Sequence, residues 1–226
     1  MKRYILYAGV NGAGKSTLYR TTRYKNSMPR INTDEILREF GDWRNTSDLM
    51  KAGKISVARL NDYLLQGVAF NQETTLCGHS IIKTIQRAKE AGYMIEMHYV
   101  GVDSSQIAKQ RIAQRVKMGG HGIPDRDVDR RYGESLRNLK KVLGFCDLAA
   151  LYDNTAQFRR FAIYKNGEAI KVSRNVPMWY RKWLDDGFMA IWQETQEAFR
   201  GEAEKAGLRD EQDVVEMIKE MRKENQ

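Results

Sequence analysis

Apolar residues recur along the first two-thirds of the chain with two alternating periods, which predicts a succession of strands and helices. Short apolar runs predict strands over residues 2–8, 30–32, 69–76, 93–100 and 148–152. In the segments between these strands, an apolar residue occurs every three or four positions, which predicts helices. The predicted helices cover residues 14–24, a segment from 33 onward, and residues 55–69, 79–91, 104–118 and 125–143. This alternation favours the α/β class, with a parallel sheet covered by helices on both faces.

The pattern changes after residue 152. Two short β-type runs over 161–164 and 169–172 flank the pair Asn166-Gly167, which predicts a hairpin. From residue 177 onward the chain is highly charged and helical in pattern, with breaks near Gly201 and Gly207. We therefore expect a main domain over residues 1–176 and a C-terminal helical extension over 177–226.

Composition narrows the class of protein. The chain has 226 residues, of which 42% are hydrophobic and 30% charged, as in a globular protein with one well-buried core. No apolar run reaches about 20 residues, so we expect no membrane span. We also expect no signal peptide, because the apolar run at the N-terminus is short and lacks a cleavage-site pattern. The two cysteines, Cys77 and Cys146, have no partner at metal-ligand spacing, which favours a reducing, cytoplasmic location.

The net charge of +9 fits two kinds of partner, a nucleic acid or the phosphates of a nucleotide. Many arginines lie between Arg111 and Arg137, beside a glycine-rich turn and not along one long basic helix. This placement favours a nucleotide site. A nucleic-acid-binding NTPase is the alternative from another class, and a regulatory nucleotide binder without activity is a third.

The segment GVNGAGKST, between a predicted strand and a predicted helix, fits the phosphate-binding pattern G-x-x-x-x-G-K-[ST] completely. Its glycines allow backbone N–H groups to turn toward phosphate oxygens, and the helix N-terminus adds positive potential. In this pattern Lys15 reaches the β- and γ-phosphates and Ser16 ligates Mg²⁺. The predicted ligands of ATP in this loop are Gly9, Asn11, Gly12, Ala13, Gly14, Lys15, Ser16 and Thr17.

Acidic residues follow two of the predicted strands, at the sheet edge where α/β proteins bind ligands. Asp34 is the candidate base for an acceptor hydroxyl, although Asn32 and the acids after it also fit a helix cap. Glu73, followed by Thr74, is a candidate to bind the acceptor or to orient a water on Mg²⁺. Asp103, after the next strand, is the reserve candidate to assist the metal.

Arginines on two consecutive predicted helices suggest a lid over the phosphates. Arg111 and Arg115 share a helix face because they are four residues apart. The turn at Gly119-Gly120 follows, and Arg130, Arg131 and Arg137 lie on the next helix. Guanidinium groups donate several hydrogen bonds to one phosphate, so such a lid stabilises charge on the transferred group. A solvated basic helix face is the plainer interpretation, and the lone His121 in the turn is suited to capping or hinging it.

The order of GVNGAGKST, INTDEI, QETT and QRIAQRVKMGGHGIPDRDVDRRYGESLRNL resembles the zeta-toxin family of P-loop kinases, over about residues 2–172. The GGHGIP turn marks this chain as a shorter branch of that family. The resemblance implies an adenylate-kinase-like core and an ATP- and Mg²⁺-dependent kinase. It implies that Lys15 is the phosphate-loop lysine, Asp34 the base and Glu73 a substrate-site acid. The resemblance also implies that Arg115 and either Arg130 or Arg131 are catalytic lid arginines, and that Arg111 stacks on the nucleotide base.

Characterised zeta toxins phosphorylate a hydroxyl of a UDP-linked N-acetylamino sugar. The resemblance therefore implies an acceptor like UDP-N-acetylglucosamine, a toxin of a toxin–antitoxin system, and an antitoxin protein as partner. A kinase for another small metabolite is the enzymatic alternative.

Overall fold

The computed structural model describes residues 2–22 and 27–185. The chain divides into two compact units, residues 1–183 and 184–226, and the first contains the sheet and the candidate site. Most of the predicted C-terminal extension, residues 186–226, lies outside the described residues. No helix in the described ranges combines the length and the apolar character needed to cross a membrane.

Within the described residues, seven strands form one sheet in the order β2-β3-β1-β4-β5-β6-β7. The strands are β1 (Arg3–Ala8), β2 (Arg30–Ile31), β3 (Phe70–Thr74), β4 (Met94–Gly101), β5 (Leu148–Asp153), β6 (Arg159–Lys165) and β7 (Glu168–Val172). The first five pair in parallel, and β6 and β7 continue the same sheet as antiparallel strands. This confirms the predicted α/β fold with a largely parallel sheet.

The helices connect the strands in the predicted alternation. They are α1 (Lys15–Thr21), α2 (Thr33–Arg38), α3 (Thr46–Gln66), α4 (His79–Glu90), α5 (Ser105–Lys117), α6 (Asp125–Leu143) and α7 (Met178–Leu184). A helix was expected in each of these regions, with α7 at the start of the expected helical extension. The helix expected over 55–69 begins earlier, at Thr46, because the Asn45 side chain accepts a hydrogen bond from the Ser47 N–H and caps it.

Both faces of the central strand β1 are buried, since its residues alternate between two layers of packing. Ile5 and Tyr7 pack with Leu18 of α1 and Ile112 of α5 on one face. On the other face the Tyr4 ring stacks on Phe70 of β3, whose ring contacts Tyr63 of α3. A strand buried on both faces reads as a continuous apolar run, which is why the sequence pattern predicted it correctly.

The predicted hairpin is present at its predicted turn. Asn166 and Gly167 both have positive φ, 51° and 83°, as a two-residue turn between twisted antiparallel strands requires. Beyond β7, Trp179 of α7 is almost fully buried, and its ring contacts Tyr99 of β4 and Phe161 of β6. The first turn of the predicted extension therefore belongs to the core of the first unit.

Candidate active site

The carboxyl ends of three neighbouring strands bring the predicted site residues together. In the order β2-β3-β1, the loop after β1 lies beside the end of β3, where Ala8 is in register with Thr74. Asn32 follows β2, the next strand outward. Residues separated by dozens of positions in sequence therefore share one edge of the sheet, where open α/β sheets bind ligands.

The phosphate loop has the backbone shape that its glycines allow. Gly9, Gly12 and Gly14 have φ of 133°, 77° and 107°, a region that side chains disfavour. A Cβ on Gly9 would lie 2.1 Å from the Val100 carbonyl oxygen, and one on Gly12 would lie 2.7 Å from that of Ala108. Glycine is therefore required at both positions for the loop to close against β4 and α5.

Lys15 is held inside this loop. Its side chain is 7% exposed, and Nζ donates to the Val10 carbonyl oxygen at 3.0 Å. Burial lowers the pKa of the Lys15 ammonium, while the nearby carboxylates of Glu73 and Asp34 act in the opposite direction. An ammonium in this position gains strongly from an anionic ligand, because its charge is desolvated and incompletely balanced.

Glu73 is the centre of a network between the loop and β2. Its carboxylate accepts hydrogen bonds from Ser16 Oγ at 2.9 and 3.0 Å and from Asn32 Nδ2 at 3.1 Å. Arg30 Nη2 donates to it at 2.7 Å, and both side chains of this ion pair are 11% exposed. The Arg30 guanidinium also lies over the Tyr19 ring, 3.6 Å from its centroid. Glu73 is thus fixed beside the predicted Mg²⁺ ligand.

The structure separates the two interpretations of the segment after β2. Asn32 caps α2, since its Oδ1 accepts from the N–H groups of Asp34 and Glu35 at 3.0 and 3.4 Å. The Asp34 carboxylate has no part in that cap. It is close enough to Lys15 to raise the pKa of that ammonium, and its Oδ1 is 3.9 Å from His121 Nε2. Asp34 is thus an acid in the first turn of α2 whose carboxylate makes no capping hydrogen bond.

The lid arginines divide into those that reach the loop and those that do not. Arg131 Nη1 donates to Asn11 Oδ1 of the phosphate loop at 3.2 Å. Arg130 instead pairs with Asp127 and Glu134 of its own helix and is 58% exposed. Of the two arginines between which the sequence left the choice open, Arg131 is therefore the one that contacts the phosphate loop.

Two other arginines present unpaired donors. Arg115 Nε donates to the His121 carbonyl at 2.8 Å, and Arg111 Nη2 donates to the carbonyls of Asn154 and Thr155. Arg115 Nη2 and Arg111 Nη1 are buried and have no hydrogen-bond partner among the described residues. Buried guanidinium nitrogens are costly without acceptors, and phosphate oxygens are the acceptors that suit them.

Asn154 is a site residue that sequence reasoning missed. It follows β5, and its Nδ2 donates to the Ala13 carbonyl oxygen of the phosphate loop at 2.8 Å. Its own carbonyl accepts from Arg111, so one residue ties the loop to the first lid helix. Its position directly after a strand, at the ligand-binding edge, was the one signal that pointed to it.

Some predicted residues have other partners. The Asp103 carboxylate accepts from the Trp179 N–H at 3.0 Å and so holds the start of α7. Thr74 Oγ1 accepts from the Leu76 N–H in the turn after β3. Arg137 lies over the Trp183 ring, and Thr17 is exposed on α1. For the reserve candidate Asp103, the contact in the structure is with α7, and a role beside the metal stays a prediction.

The residues present suit Mg²⁺ bound together with a nucleotide. Among residues 2–22 and 27–185, no three His, Cys, Asp or Glu side chains group into a metal site of their own. Mg²⁺ is usually held by few protein oxygens together with water and substrate phosphates. The Ser16 hydroxyl and the adjoining Glu73 carboxylate are such a donor set.

Comparison with known proteins agrees with this geometry. Residues 5–132 match the AAA domain family. An uncharacterized protein of Haemophilus influenzae is 34% identical over 128 residues, which make up 57% of this chain and 91% of that protein.

Solved structures share the fold at low sequence identity. The crystal structure of AvrRxo1-ORF1:-ORF2 with ATP aligns with a TM-score of 0.59 and 13% identity, over 76% of this chain and 60% of that one. A structure of the PezAT chromosomal toxin–antitoxin system of Streptococcus pneumoniae aligns with a TM-score of 0.52 and 18% identity, over 70% of this chain and 71% of that one. The chain thus spans about 60% of the length of the AvrRxo1-ORF1:-ORF2 chain that it matches.

Proposed function

The chain belongs to the AAA domain family, and we propose that it is a kinase that transfers the γ-phosphate of ATP to a hydroxyl of a small molecule. The observation that carries this proposal is the placement of Asp34. Its carboxylate is close enough to the buried Lys15 of the phosphate loop to raise the pKa of that ammonium, and it makes no capping hydrogen bond, since Asn32 caps α2. A carboxylate there serves to take the proton of an attacking hydroxyl.

The chain's own groups account for binding and charge stabilisation. The glycine-shaped loop would offer backbone N–H groups to the β- and γ-phosphates, and Lys15 would add a desolvated positive charge. Arg131 and Arg115 contribute guanidinium donors where charge develops on the transferred group. We assign Arg111, whose Nη2 donates to the Asn154 carbonyl after β5, to the nucleotide base, on the resemblance to the zeta toxins.

Ser16 would hold Mg²⁺, and Glu73 would orient a water on it. Mg²⁺ held there would supply positive charge to offset that of the nucleotide phosphates. Arg30 and Asn32 keep the Glu73 carboxylate in one orientation, so the ion's position does not depend on a mobile side chain. Desolvation of the site strengthens each of these interactions.

We assign the acceptor to the UDP-activated amino sugars, on the resemblance of the motifs to the zeta toxins. A toxin role with an antitoxin partner follows from the same resemblance, and one structural neighbour is a toxin–antitoxin system. A kinase for another small metabolite is the alternative within the same chemistry. A nucleic-acid-binding NTPase is the alternative suggested by the net charge of +9.

Incubation with γ-labelled ATP and Mg²⁺, with a pool of nucleotide sugars or with RNA and DNA, distinguishes these functions. The proposal expects label on UDP-N-acetylglucosamine and no effect of nucleic acid. Lys15→Ala is the matched control, because it removes the loop ammonium and should abolish transfer. Label on a different metabolite would retain the kinase and replace the acceptor. Phosphate release stimulated by nucleic acid, without a labelled acceptor, would contradict the kinase.

A further inference from the structure

His121 lies in the turn between α5 and α6, and its imidazole faces Asp34 of α2. His121 Nε2 and Asp34 Oδ1 are 3.9 Å apart, within reach of a hydrogen bond after a small movement. Catalytic hydrogen bonds are often long before substrate binds and shorten in the complex. The turn therefore brings a lid residue to the candidate base.

Glycines on both sides of His121 shape this turn around its neighbours. A Cβ on Gly120 would lie 2.5 Å from Arg115 Cγ, and one on Gly122 would lie 2.5 Å from Trp43 Cη2. The His121 ring packs against the Trp43 indole with centroids 5.6 Å apart, and the residue is 9% exposed. The turn is thus closely packed, and the imidazole is buried against Trp43.

The same residue also fixes a lid arginine. Arg115 Nε donates to the His121 carbonyl oxygen at 2.8 Å, while the His121 ring is directed to Asp34. The backbone of His121 therefore positions the arginine, and its side chain contacts the base. The position of His121 therefore determines how the Arg115 guanidinium and the Asp34 carboxylate lie relative to each other.

We propose that His121 is a positioning residue that holds the Asp34 carboxylate in the orientation needed to accept the proton of the attacking hydroxyl. In the tautomer that carries its proton on Nε2, the neutral imidazole donates to Asp34 Oδ1. This inference rests on the proposed kinase function, in which Asp34 is the base. It assigns to the GGHG turn, residues 119–122, a role beyond connecting the two helices that carry the arginines.

The charges around His121 favour the neutral ring that this role needs. Burial lowers the pKa of His121, the Asp34 carboxylate raises it, and the guanidinium groups of Arg115, Arg38 and Arg131 lower it further. The Arg44 guanidinium, 4.7 Å from the centroid of the Trp43 ring, is a further positive charge near this contact. Because the folded-state pKa is lowered, the ring stays neutral at neutral pH and becomes charged only as the pH falls.

Two substitutions of His121 separate positioning from packing. His121→Gln keeps an N–H donor near the place of Nε2, and His121→Leu keeps the contact with Trp43 without a donor. Both leave the backbone carbonyl that Arg115 uses. We expect His121→Leu to lower kcat on the order of 10²-fold with the KM for ATP unchanged, and His121→Gln to retain most of the turnover. His98→Gln, at a histidine bound to Glu96 on the sheet face, is the control.

The kinetic test measures transfer from ATP to UDP-N-acetylglucosamine in the full-length chain. The Asp34→Asn and His121→Leu changes should be non-additive, since His121 acts through Asp34. Normal turnover in the folded His121→Leu variant would overturn the proposal. Equal losses in the Leu and Gln variants, in proportion to lost thermal stability, would also overturn it.

A second measurement does not need the acceptor. NMR titration of the His121 ring, assigned with His121→Gln, should show a lower pKa in Asp34→Asn than in the wild type, because the neighbouring carboxylate charge is lost. An unchanged pKa would overturn the pairing of the two residues. If the wild type fails to phosphorylate UDP-N-acetylglucosamine while this shift is present, the assigned acceptor is wrong and the pair stands.

Discussion

Ser16 in the phosphate loop donates a hydrogen bond that both carboxylate oxygens of Glu73 share, at 2.9 and 3.0 Å. The contact joins the first turn of α1 to the end of β3, two elements that are adjacent only because β3 pairs with β1. It makes Glu73 the acid nearest to the predicted metal ligand. Of the two roles that the sequence left open for Glu73, this geometry favours orienting a water on Mg²⁺.

Glu73→Gln should raise the Mg²⁺ concentration needed for half-maximal transfer, because the amide keeps the size of the side chain but loses its charge. It should also lower the free energy of unfolding by about 1–3 kcal/mol, since the buried Arg30 loses a charged partner. Turnover measured against Mg²⁺ concentration and urea unfolding check the two effects. Glu35→Gln is the control, because Glu35 also pairs with Arg30 but lies away from Ser16. The same Mg²⁺ dependence in both variants would contradict the assignment.

Asp34→Asn should retain ATP binding and lose transfer by about 10²-fold or more, the usual contribution of a general base. Its free energy of unfolding should stay within about 0.5 kcal/mol of the wild type, because Asn32 and not Asp34 caps α2. Asn32→Ala is the comparison, with an expected loss of about 1 kcal/mol from the cap. Calorimetry for ATP binding, urea unfolding and a transfer assay test this. Full turnover in Asp34→Asn would show that another group takes the proton.

Alanine substitutions of the adjacent residues Arg130 and Arg131 should have very different effects on turnover. Arg131→Ala should lower turnover on the order of 10³-fold, as expected when an arginine that stabilises the transferred phosphoryl group is lost. Arg130→Ala should change it little, because Arg130 is exposed and pairs with acids of its own helix. Steady-state kinetics at saturating ATP compare the two variants directly. Similar losses in both would mean that α6 rotates when the nucleotide binds.

Gly9→Ala should destabilise the chain by about 4 kcal/mol or more, since its Cβ would lie 2.1 Å from the Val100 carbonyl oxygen and φ is 133°. Gly53→Ala is the matched control, as nothing lies within 4 Å of its added Cβ in the middle of α3. There the substitution should raise stability by about 0.5–1 kcal/mol through helix propensity. Urea unfolding midpoints measure both. A stable Gly9→Ala protein with normal ATP affinity would argue against the loop geometry.

Local features of the sequence were enough to predict the fold class and the phosphate loop. The strand and helix periods reflect burial on one or two faces, which each segment carries in its own residues. The loop pattern depends on glycines and a lysine at fixed spacing, and the Asn166-Gly167 turn depends on two adjacent residues with positive φ. None of these requires knowledge of which distant segment lies beside which.

The tertiary structure decided the contacts that make these residues a site. The side-by-side order of β2, β3 and β1 set Glu73 between Ser16 and Arg30, and the rotation of α6 turned Arg131 and not Arg130 toward Asn11. The docking of the GGHG turn on Trp43 brought His121 to Asp34. Such contacts depend on the order of the strands and the rotation of the helices, which are set by the packing of the whole core. The spacing of residues along the chain therefore does not predict them.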